Sequence, residues 1–150
     1  MTPEQLRSEL RYDKATGVVC WRGKKAACAN SAGYLRLKIA GRLYYAHRLA
    51  WLAVTGTWPS DGIDHIDGDH ANNRWVNLRQ ASQRLNNENL RGPKGHNKTG
   101  RLGVERNGPG FAARIRVRGR RIYLGTFSTA QQAHAAYLAA KREHHEGCTI

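Results

Sequence analysis

The fold and the chemistry of this chain both depend on one polar segment near its middle. That segment reads Ile63-Asp64-His65-Ile66-Asp67-Gly68-Asp69 and continues with Asn72-Asn73-Arg74, Asn77-Leu78-Arg79 and Asn86. An aspartate and a histidine are adjacent, and two asparagines follow the histidine after 12 and 21 residues. A carboxylate, an imidazole and amide oxygens are suited to holding one divalent metal against a phosphodiester and to activating a water molecule beside it. The spacing is therefore more informative than the residue types alone.

The residues around the Asp-His pair predict two short strands, a loop and a helix. Isoleucines flank the pair, as expected for a short strand, and Gly68 followed by the polar run 69–73 is typical of a loop. Residues 77–80 can form a second strand. Ser82 is suited to the N-cap of a helix that carries Asn86. The predicted local order is therefore strand, loop, strand and helix.

This spacing resembles the HNH endonuclease family, in the branch common among phage and homing endonucleases. The resemblance extends from about His47 to Asn89. It implies a ββα-metal fold, in which a helix packs across two short strands and the loop between them. By the resemblance, Asp64 is a metal ligand and His65 is the general base. The resemblance also implies that Asn77 orients the loop and that Asn86 completes the protein side of the metal site.

The donor types indicate one hard divalent ion. A carboxylate and an amide oxygen suit Mg²⁺ or Mn²⁺, with water and substrate phosphate as the remaining ligands. No zinc site is expected, because Cys20, Cys28 and Cys148 form no Cys-x-x-Cys pair and reduced structural thiols are the expected state. Asp67 and Asp69 are second-choice metal contacts, and the alternative is that the acidic residues form only a solvated loop.

The charges of the site predict which residue is the base. A neutral imidazole can take a proton from the attacking water, since an unperturbed histidine has a pKa near ~6.5. Asp64 should hold the metal, because an ionised carboxylate on a cation is a poor proton acceptor. We therefore expect that His65→Ala abolishes cleavage and spares DNA binding.

The composition indicates a polyanionic partner. Lys and Arg number 25 against 11 Asp and Glu, which gives a formal net charge of +14 in 150 residues. Double-stranded DNA is the expected partner of so basic a chain, and the sequence leaves the oligomeric state open. No apolar run approaches the ~18 residues of a membrane-spanning helix, and no signal peptide is apparent at the N-terminus. A cytoplasmic location is expected, in the host cell if a phage encodes the protein.

The sequence predicts an α+β protein with two domains. Residues 1–90 are expected to form the HNH nuclease domain, with its ββα core at about 61–90. Residues 91–100 contain glycines and basic residues and predict a flexible cationic linker. Residues 101–150 are expected to form a small three-stranded antiparallel sheet with one packed helix.

Basic residues recur at alternate positions in the second predicted domain. Strands are expected at residues 102–104, 111–118 and 121–127, and a capping box at 128–131 is expected to open a helix that extends to about His145. The alternation places Arg114, Arg116 and Arg118 on one strand face, exposed together with Arg121 and Tyr123 of the next strand. Ten Lys or Arg against one Glu over residues 91–123 give this segment a net charge of +9.

This second unit resembles the AP2/ERF DNA-binding domain. The resemblance is carried by Gly103-Val104, Phe111-Ala112-Ala113-Arg114-Ile115, residues 121–127 and residues 129–137. The family fold is a three-stranded antiparallel sheet with one helix, and the resemblance implies that the sheet enters the major groove of DNA. A tryptophan common in the family near the second strand is absent, and Phe111 lies in that neighbourhood.

Three functions are compatible with these features. The first is a metal-dependent DNA endonuclease that uses a one-metal HNH mechanism and is targeted by the basic AP2-like sheet. The second is a non-catalytic, sequence-specific DNA-binding regulator of AP2 type, and the third is an RNA-binding or architectural protein. The presence of Asp64, His65, Asn77 and Asn86 together favours the enzyme.

Overall fold

The chain divides into two compact units, Met1–Gln83 and Arg84–Ile150. The computed structural model describes residues 2–26, 28–93, 95 and 97–149. Lys94 and His96 of the predicted linker lie outside the described residues. The predicted domain limits at residues 90 and 101 stay predictions.

The first unit combines short helices with three small antiparallel sheets. Its sheets have the strand orders β1-β2-β3, β4-β5-β6 and β7-β8. The elements are α1 (Pro3–Ser8), β1 (Leu10–Tyr12), β2 (Val19–Trp21), β3 (Lys24–Lys25), β4 (Cys28–Ala29), β5 (Leu35–Ile39), β6 (Arg42–Tyr45), α2 (Ala46–Thr55), β7 (Gly62–His65), a 3₁₀ turn (Trp75–Asn77) and β8 (Leu78–Ala81).

The core of the first unit forms between the β5–β6 hairpin and α2. Leu37 and Ile39 alternate with basic residues along β5 and are buried, as their spacing predicts. Leu49 and Leu52 of α2 are fully buried against the same core. The helix ends at Gly56, which adopts a left-handed conformation with φ +80°. The alternation of apolar and basic residues over 35–39 predicts a hairpin, and the sequence predicts that the helix after it ends near Gly56, so both predictions are confirmed.

The strands that carry the polar motif pair directly with one another. β7 and β8 are antiparallel, with Asp64 opposite Arg79 and His65 opposite Leu78. The second strand begins at Leu78, one residue later than predicted, because Asn77 lies in the 3₁₀ turn. Helix α3 (Gln83–Glu88) follows β8, as predicted from Ser82.

The second unit contains one antiparallel sheet and one long helix. The sheet has the order β11-β10-β9, formed by β9 (Val104–Asn107), β10 (Gly110–Val117) and β11 (Arg120–Phe127). Helix α4 (Ala130–His144) packs on it, and Ala113 and Ala133 are fully buried in the core. Thr129 caps α4 in a capping box with Gln132, one residue later than predicted.

The arginine face of β10 differs from the predicted alternation at the end of the strand. The pairing of β10 with β11 shifts between Ala113 and Arg114, where Leu124 is the extra residue on β11, but Arg114 and Arg116 still share one face of β10. Arg118 is not in the strand, and its predicted place on the strand face is therefore wrong. It occupies a turn with Gly119, and both residues have positive φ, at 48° and 82°. Two positive φ values suit the tight turn of a two-residue hairpin, which explains the difference.

None of the described helices combines the length and the hydrophobicity needed to cross a bilayer.

Candidate active site

His65 ends strand β7 and has a fixed ring orientation. Its side chain is buried, and its Nε2 lies 3.2 Å from Oδ1 of Asn73. Asn73 donates its Nδ2 to the carbonyl of Ala71 at 3.0 Å, which leaves its Oδ1 facing the imidazole. Because an amide oxygen only accepts hydrogen bonds, Nε2 of His65 carries the proton in the neutral ring. The lone pair is therefore on Nδ1.

Burial lowers the pKa of His65 below its ordinary value. The hydrogen bond to Asn73 opposes this effect, and the nearby Asp67 and Asp64 also raise the pKa of the imidazole. Burial is the largest of these contributions, so the net direction is downward. The ring is consequently neutral at neutral pH, which is the protonation state that can accept a proton.

Asn77 joins both ends of the loop that follows β7. Its Oδ1 accepts the backbone N–H of Asp67 at 2.9 Å, and its Nδ2 donates to Oδ1 of Asp67 and to the carbonyl of Asn72, each at 2.8 Å. Its backbone carbonyl accepts the N–H of Ile66 at 2.9 Å. Asn77 is buried, so these bonds satisfy the polar atoms of its side chain in place of water. The side chain thereby connects the two ends of the loop, Asp67 and Asn72, and the backbone carbonyl holds Ile66, the residue after His65.

The two further aspartates of the motif serve the loop itself. Asp67 accepts hydrogen bonds from the side chain of Asn72 at 2.6 Å and from the backbone N–H of Asp69 at 2.9 Å. Asp69 in turn accepts the backbone N–H of Ala71 at 2.9 Å. These are local turn contacts of the kind that short acidic side chains make.

Asp64 is buried on β7 and is held by its cross-strand partner. Its Oδ2 accepts from Nε of Arg79 at 2.9 Å and from Nη2 at 2.8 Å. Only 4% of the Asp64 side chain is exposed, so a buried charge here requires such a partner. The pair fixes the orientation of the carboxylate next to His65.

Three aromatic rings surround the imidazole of His65. The ring centroids of Tyr34, His47 and His70 lie 5.8, 5.2 and 5.7 Å from that of His65. Tyr34 and His70 stack in parallel at 3.9 Å, and Nδ1 of His70 donates to the carbonyl of Ala32 at 2.7 Å. The rings come from α2 and from two separate loops, so no local spacing in the sequence indicated their convergence.

The N-terminal segment supports the loop from behind. The hydroxyl of Tyr12 donates to the carbonyl of Asn73 at 2.7 Å. Gly17 has φ +76°, and a Cβ placed on it would lie 2.6 Å from the backbone N of Arg74. Only glycine permits this approach. The sequence motif includes Asn73 in Asn72-Asn73-Arg74 but does not indicate that it bonds to His65.

The donor set next to His65 fits a hard cation. Asp64 supplies a buried carboxylate, and amide, water and substrate oxygens are the donors that complete such sites. Within the described part of the chain, no group of three or more His, Cys, Asp or Glu side chains converges on one point. Asn86 lies on α3, in the unit that begins at Arg84, and its role as a ligand stays a prediction.

The second unit presents a basic sheet face. Arg116 is paired across the strands with Arg121, and Arg114 with Tyr123, so these four side chains share one face, as predicted. Glu105 of β9 accepts from both Arg114 and Arg121. A groove of about 490 Å³ lies beside these residues.

Comparison with known proteins identifies the class of the motif. Residues 44–88 match the family model described as HNH endonuclease. The match includes strand β7, the loop that follows it and strand β8, so this part of the chain is similar to HNH endonucleases.

A solved structure is similar to the chain, and its title reads "DNA binding and cleavage by the HNH homing endonuclease I-HmuI". The two share 28% identity with a TM-score of 0.46, over 59% of this chain and 55% of that chain. This chain therefore matches about half the length of that protein. A comparison with curated proteins found no match.

Proposed function

We propose that this protein is a metal-dependent DNA endonuclease that hydrolyses phosphodiester bonds with His65 as general base. The observation that carries the proposal is the bond between Nε2 of His65 and Oδ1 of Asn73, which leaves the lone pair on Nδ1. The family match over residues 44–88 supports the same chemistry.

In the proposed reaction, a water molecule reaches Nδ1 of His65, which is buried in this structure, and Nδ1 removes a proton from it. The water oxygen forms a bond to phosphorus, and the bond between phosphorus and the 3′ oxygen breaks. The 3′ oxygen leaves with the electron pair and receives a proton from solvent. Asn73 stabilises the imidazolium, because its Oδ1 continues to accept from Nε2 after the ring becomes charged.

We assign the metal to Asp64, with Asn86 as the second protein ligand by resemblance. When bound, Mg²⁺ or Mn²⁺ would neutralise charge on the phosphate and on the departing oxygen. Arg79 holds the Asp64 carboxylate in place through two hydrogen bonds to Oδ2. Asn77 keeps the loop closed, and the ring of His65 is thereby aimed at the reacting water.

We also propose that the basic face of the β9–β11 sheet directs the enzyme to double-stranded DNA, in the manner of an AP2-like domain. The proposal is supported by Arg116, Arg121 and Tyr123, which are exposed on one face, and by the net charge of +9 over residues 91–123. A sheet of this kind can enter the major groove, where guanidinium groups bind phosphates or base edges.

Plasmid cleavage tests the proposed enzyme. The protein is incubated with supercoiled DNA and Mg²⁺ or Mn²⁺, with and without chelator. We expect nicking or linearisation that chelator abolishes, and we expect His65→Ala to lose it while still binding DNA. His144→Ala is the matched control, since this exposed histidine lies at the end of α4.

Metal-dependent cleavage that persists at a near-normal rate in His65→Ala would contradict the assigned base. Absence of cleavage with any divalent metal, together with sequence-specific DNA binding, would favour the non-catalytic regulator of AP2 type.

A further inference from the structure

Glu105 is an acidic residue on a face whose other charged side chains are basic. It is the only acid among residues 91–123, which include ten Lys or Arg. Its side chain is 40% exposed at the start of β9, so burial does not account for it. A carboxylate on a DNA-facing surface opposes binding by repelling phosphates. Its presence there therefore requires another explanation.

The contacts of Glu105 connect all three strands of the sheet. Its Oε1 accepts from Nη1 of Arg114 on β10 and from Nη2 of Arg121 on β11, the latter at 2.8 Å. Arg114 also lies over the ring of Tyr123, with its guanidinium carbon 5.7 Å from the ring centroid. One carboxylate oxygen thus holds two guanidinium groups side by side, and an aromatic ring supports one of them.

The stability of the fold does not explain these two ion pairs, since exposed ion pairs contribute little to the free energy of folding. Their main effect is to restrict the rotamers of Arg114 and Arg121. Arginine has many rotamers in solution, and its planar fork recognises a target only when it is correctly oriented. The commonest specific contact in the major groove is an arginine fork on the O6 and N7 atoms of guanine. Each guanidinium carries five N–H donors, so an arginine held by one of them can still use others.

We propose that Glu105 determines DNA specificity by positioning Arg114 and Arg121 to read guanine edges. The inference rests on the proposed targeting of DNA by this sheet and deepens it. Glu105 is a positioning residue here, because it acts through the two arginines.

A purely electrostatic role of Glu105 and a positioning role predict different effects on DNA affinity when the residue is replaced. If Glu105 is only a charge, its loss raises affinity for every DNA sequence by a similar factor. If Glu105 positions the arginines, its loss still raises the affinity for non-specific DNA. The affinity for the preferred sequence then falls relative to the affinity for non-specific DNA. The ratio of the two dissociation constants therefore separates the explanations.

The experiment uses the full-length chain in the presence of chelator. A preferred sequence is first selected from random duplex DNA, and dissociation constants are then measured for that sequence and for a scrambled one. We expect Glu105→Ala to reduce the ratio of the dissociation constant for scrambled DNA to that for preferred DNA by about ten-fold or more. One well-placed arginine fork discriminates between bases by about this factor. Glu105→Gln retains an acceptor oxygen and should fall between wild type and Glu105→Ala.

Glu143→Ala is the matched control, because Glu143 is an exposed acid on α4 and its loss changes the net charge equally. The proposal is overturned if Glu105→Ala changes the ratio no more than this control does. It is also overturned if selection recovers no preferred sequence. If Arg114→Ala with Arg121→Ala leaves DNA affinity unchanged, the proposed targeting by the sheet fails as well, whereas cleavage by the HNH domain is tested separately.

Discussion

In the proposed reaction, Asn73 determines which nitrogen of His65 acts as the base. Its Oδ1 accepts from Nε2 of the ring, and Tyr12 and Ala71 fix the asparagine from both sides. Groups that orient a reactive residue in this way affect the rate without touching the substrate. A functional role for Asn73 can therefore be tested separately from DNA binding.

We expect Asn73→Ala to lower the single-turnover cleavage rate by about 10- to 100-fold, as is typical when an orienting partner is lost. DNA affinity should stay within about two-fold of wild type, since Asn73 is buried. Asn107→Ala is a suitable control, because Asn107 lies on β9 and its side chain donates to Thr126 of the same sheet. An unchanged cleavage rate in Asn73→Ala would show that the imidazole does not need this acceptor.

His47 is a neutral histidine buried beside the site. Burial lowers the pKa of His47 to about 3, from an ordinary value of 6.5, with the nearby His65, Arg48 and His70 acting in the same direction. Its Nδ1 has no hydrogen-bond partner among the described residues, which is consistent with an uncharged ring packed against Tyr45. A histidine in a packed helix is more often structural than catalytic, so the sequence assigns no catalytic role to His47, and that assignment stays a prediction.

The lowered pKa of His47 predicts that the fold loses stability in mild acid. Above pH 6.5 the ring is neutral in both states, whereas between pH 6.5 and 3 only the unfolded chain binds the proton, so folding becomes less favourable. At pH 5 this amounts to about 2 kcal/mol, from ~1.4 kcal/mol per pH unit. Urea unfolding at pH 7 and at pH 5 measures this loss of stability. The unfolding is followed by the fluorescence of the tryptophans, which all lie before residue 84.

His47→Phe keeps a flat ring and cannot be protonated. Between pH 7 and pH 5, the free energy of unfolding of this variant should fall by about 2 kcal/mol less than that of the wild type, whatever its absolute stability. An equal pH dependence in the two proteins would mean that the His47 ring can be charged without cost.

At the scale of elements, Gly103 determines how closely α4 approaches the sheet. It precedes β9 with φ +74°, and a Cβ placed on it would lie 1.9 Å from Cδ2 of Tyr137. Tyr137 is buried on α4. The close approach requires a residue without a side chain, and the positive φ also favours glycine.

Gly103→Ala should therefore destabilise the second unit by more than the backbone strain of a non-glycine residue at positive φ would cause. Gly100→Ala is the matched control, because Gly100 has φ +66° and a Cβ added to it would meet no described atom within 4 Å. A strained backbone costs about 1–2 kcal/mol in both variants, and overpacking adds about 1–3 kcal/mol at Gly103 only. Amide hydrogen exchange of β10 reports the difference, and equal protection in the two variants would contradict the steric argument.

At the scale of the whole molecule, the net charge of +14 predicts that the proposed DNA binding depends strongly on salt. Arg114 and Arg121 share Glu105, whereas no ion pair to an acidic side chain is seen for Arg116, Arg118 or Arg120 within the described residues. These three arginines are therefore the ones from which binding to phosphates should release the most counterions.

We expect a triple change of Arg116, Arg118 and Arg120 to alanine to flatten the dependence of log affinity on log salt. The slope should become shallower by about 0.9 for each phosphate that these arginines no longer neutralise. Titration of duplex DNA at several salt concentrations measures it. The same slope in the triple variant and in wild type would exclude these arginines from the interface.

The sequence by itself determined the local elements around the site. The Asp-His pair between isoleucines predicted β7, Gly68 with its polar neighbours predicted the loop, and the alternation of leucines with basic residues predicted the β5–β6 hairpin. Such patterns are local, because strand periodicity and turn chemistry depend on residues only a few positions apart. For the same reason, the capping box of α4 was located to within one residue.

Only the tertiary structure decided which side chains meet. The register of β7 and β8 places Arg79 opposite Asp64, and packing brings His47 and Tyr34 against His65 from separate elements. In the second unit, a turn at Arg118 ended the expected alternation of arginines after Arg116. These outcomes depend on strand pairing and on close packing between residues distant in the chain, which no short sequence pattern specifies.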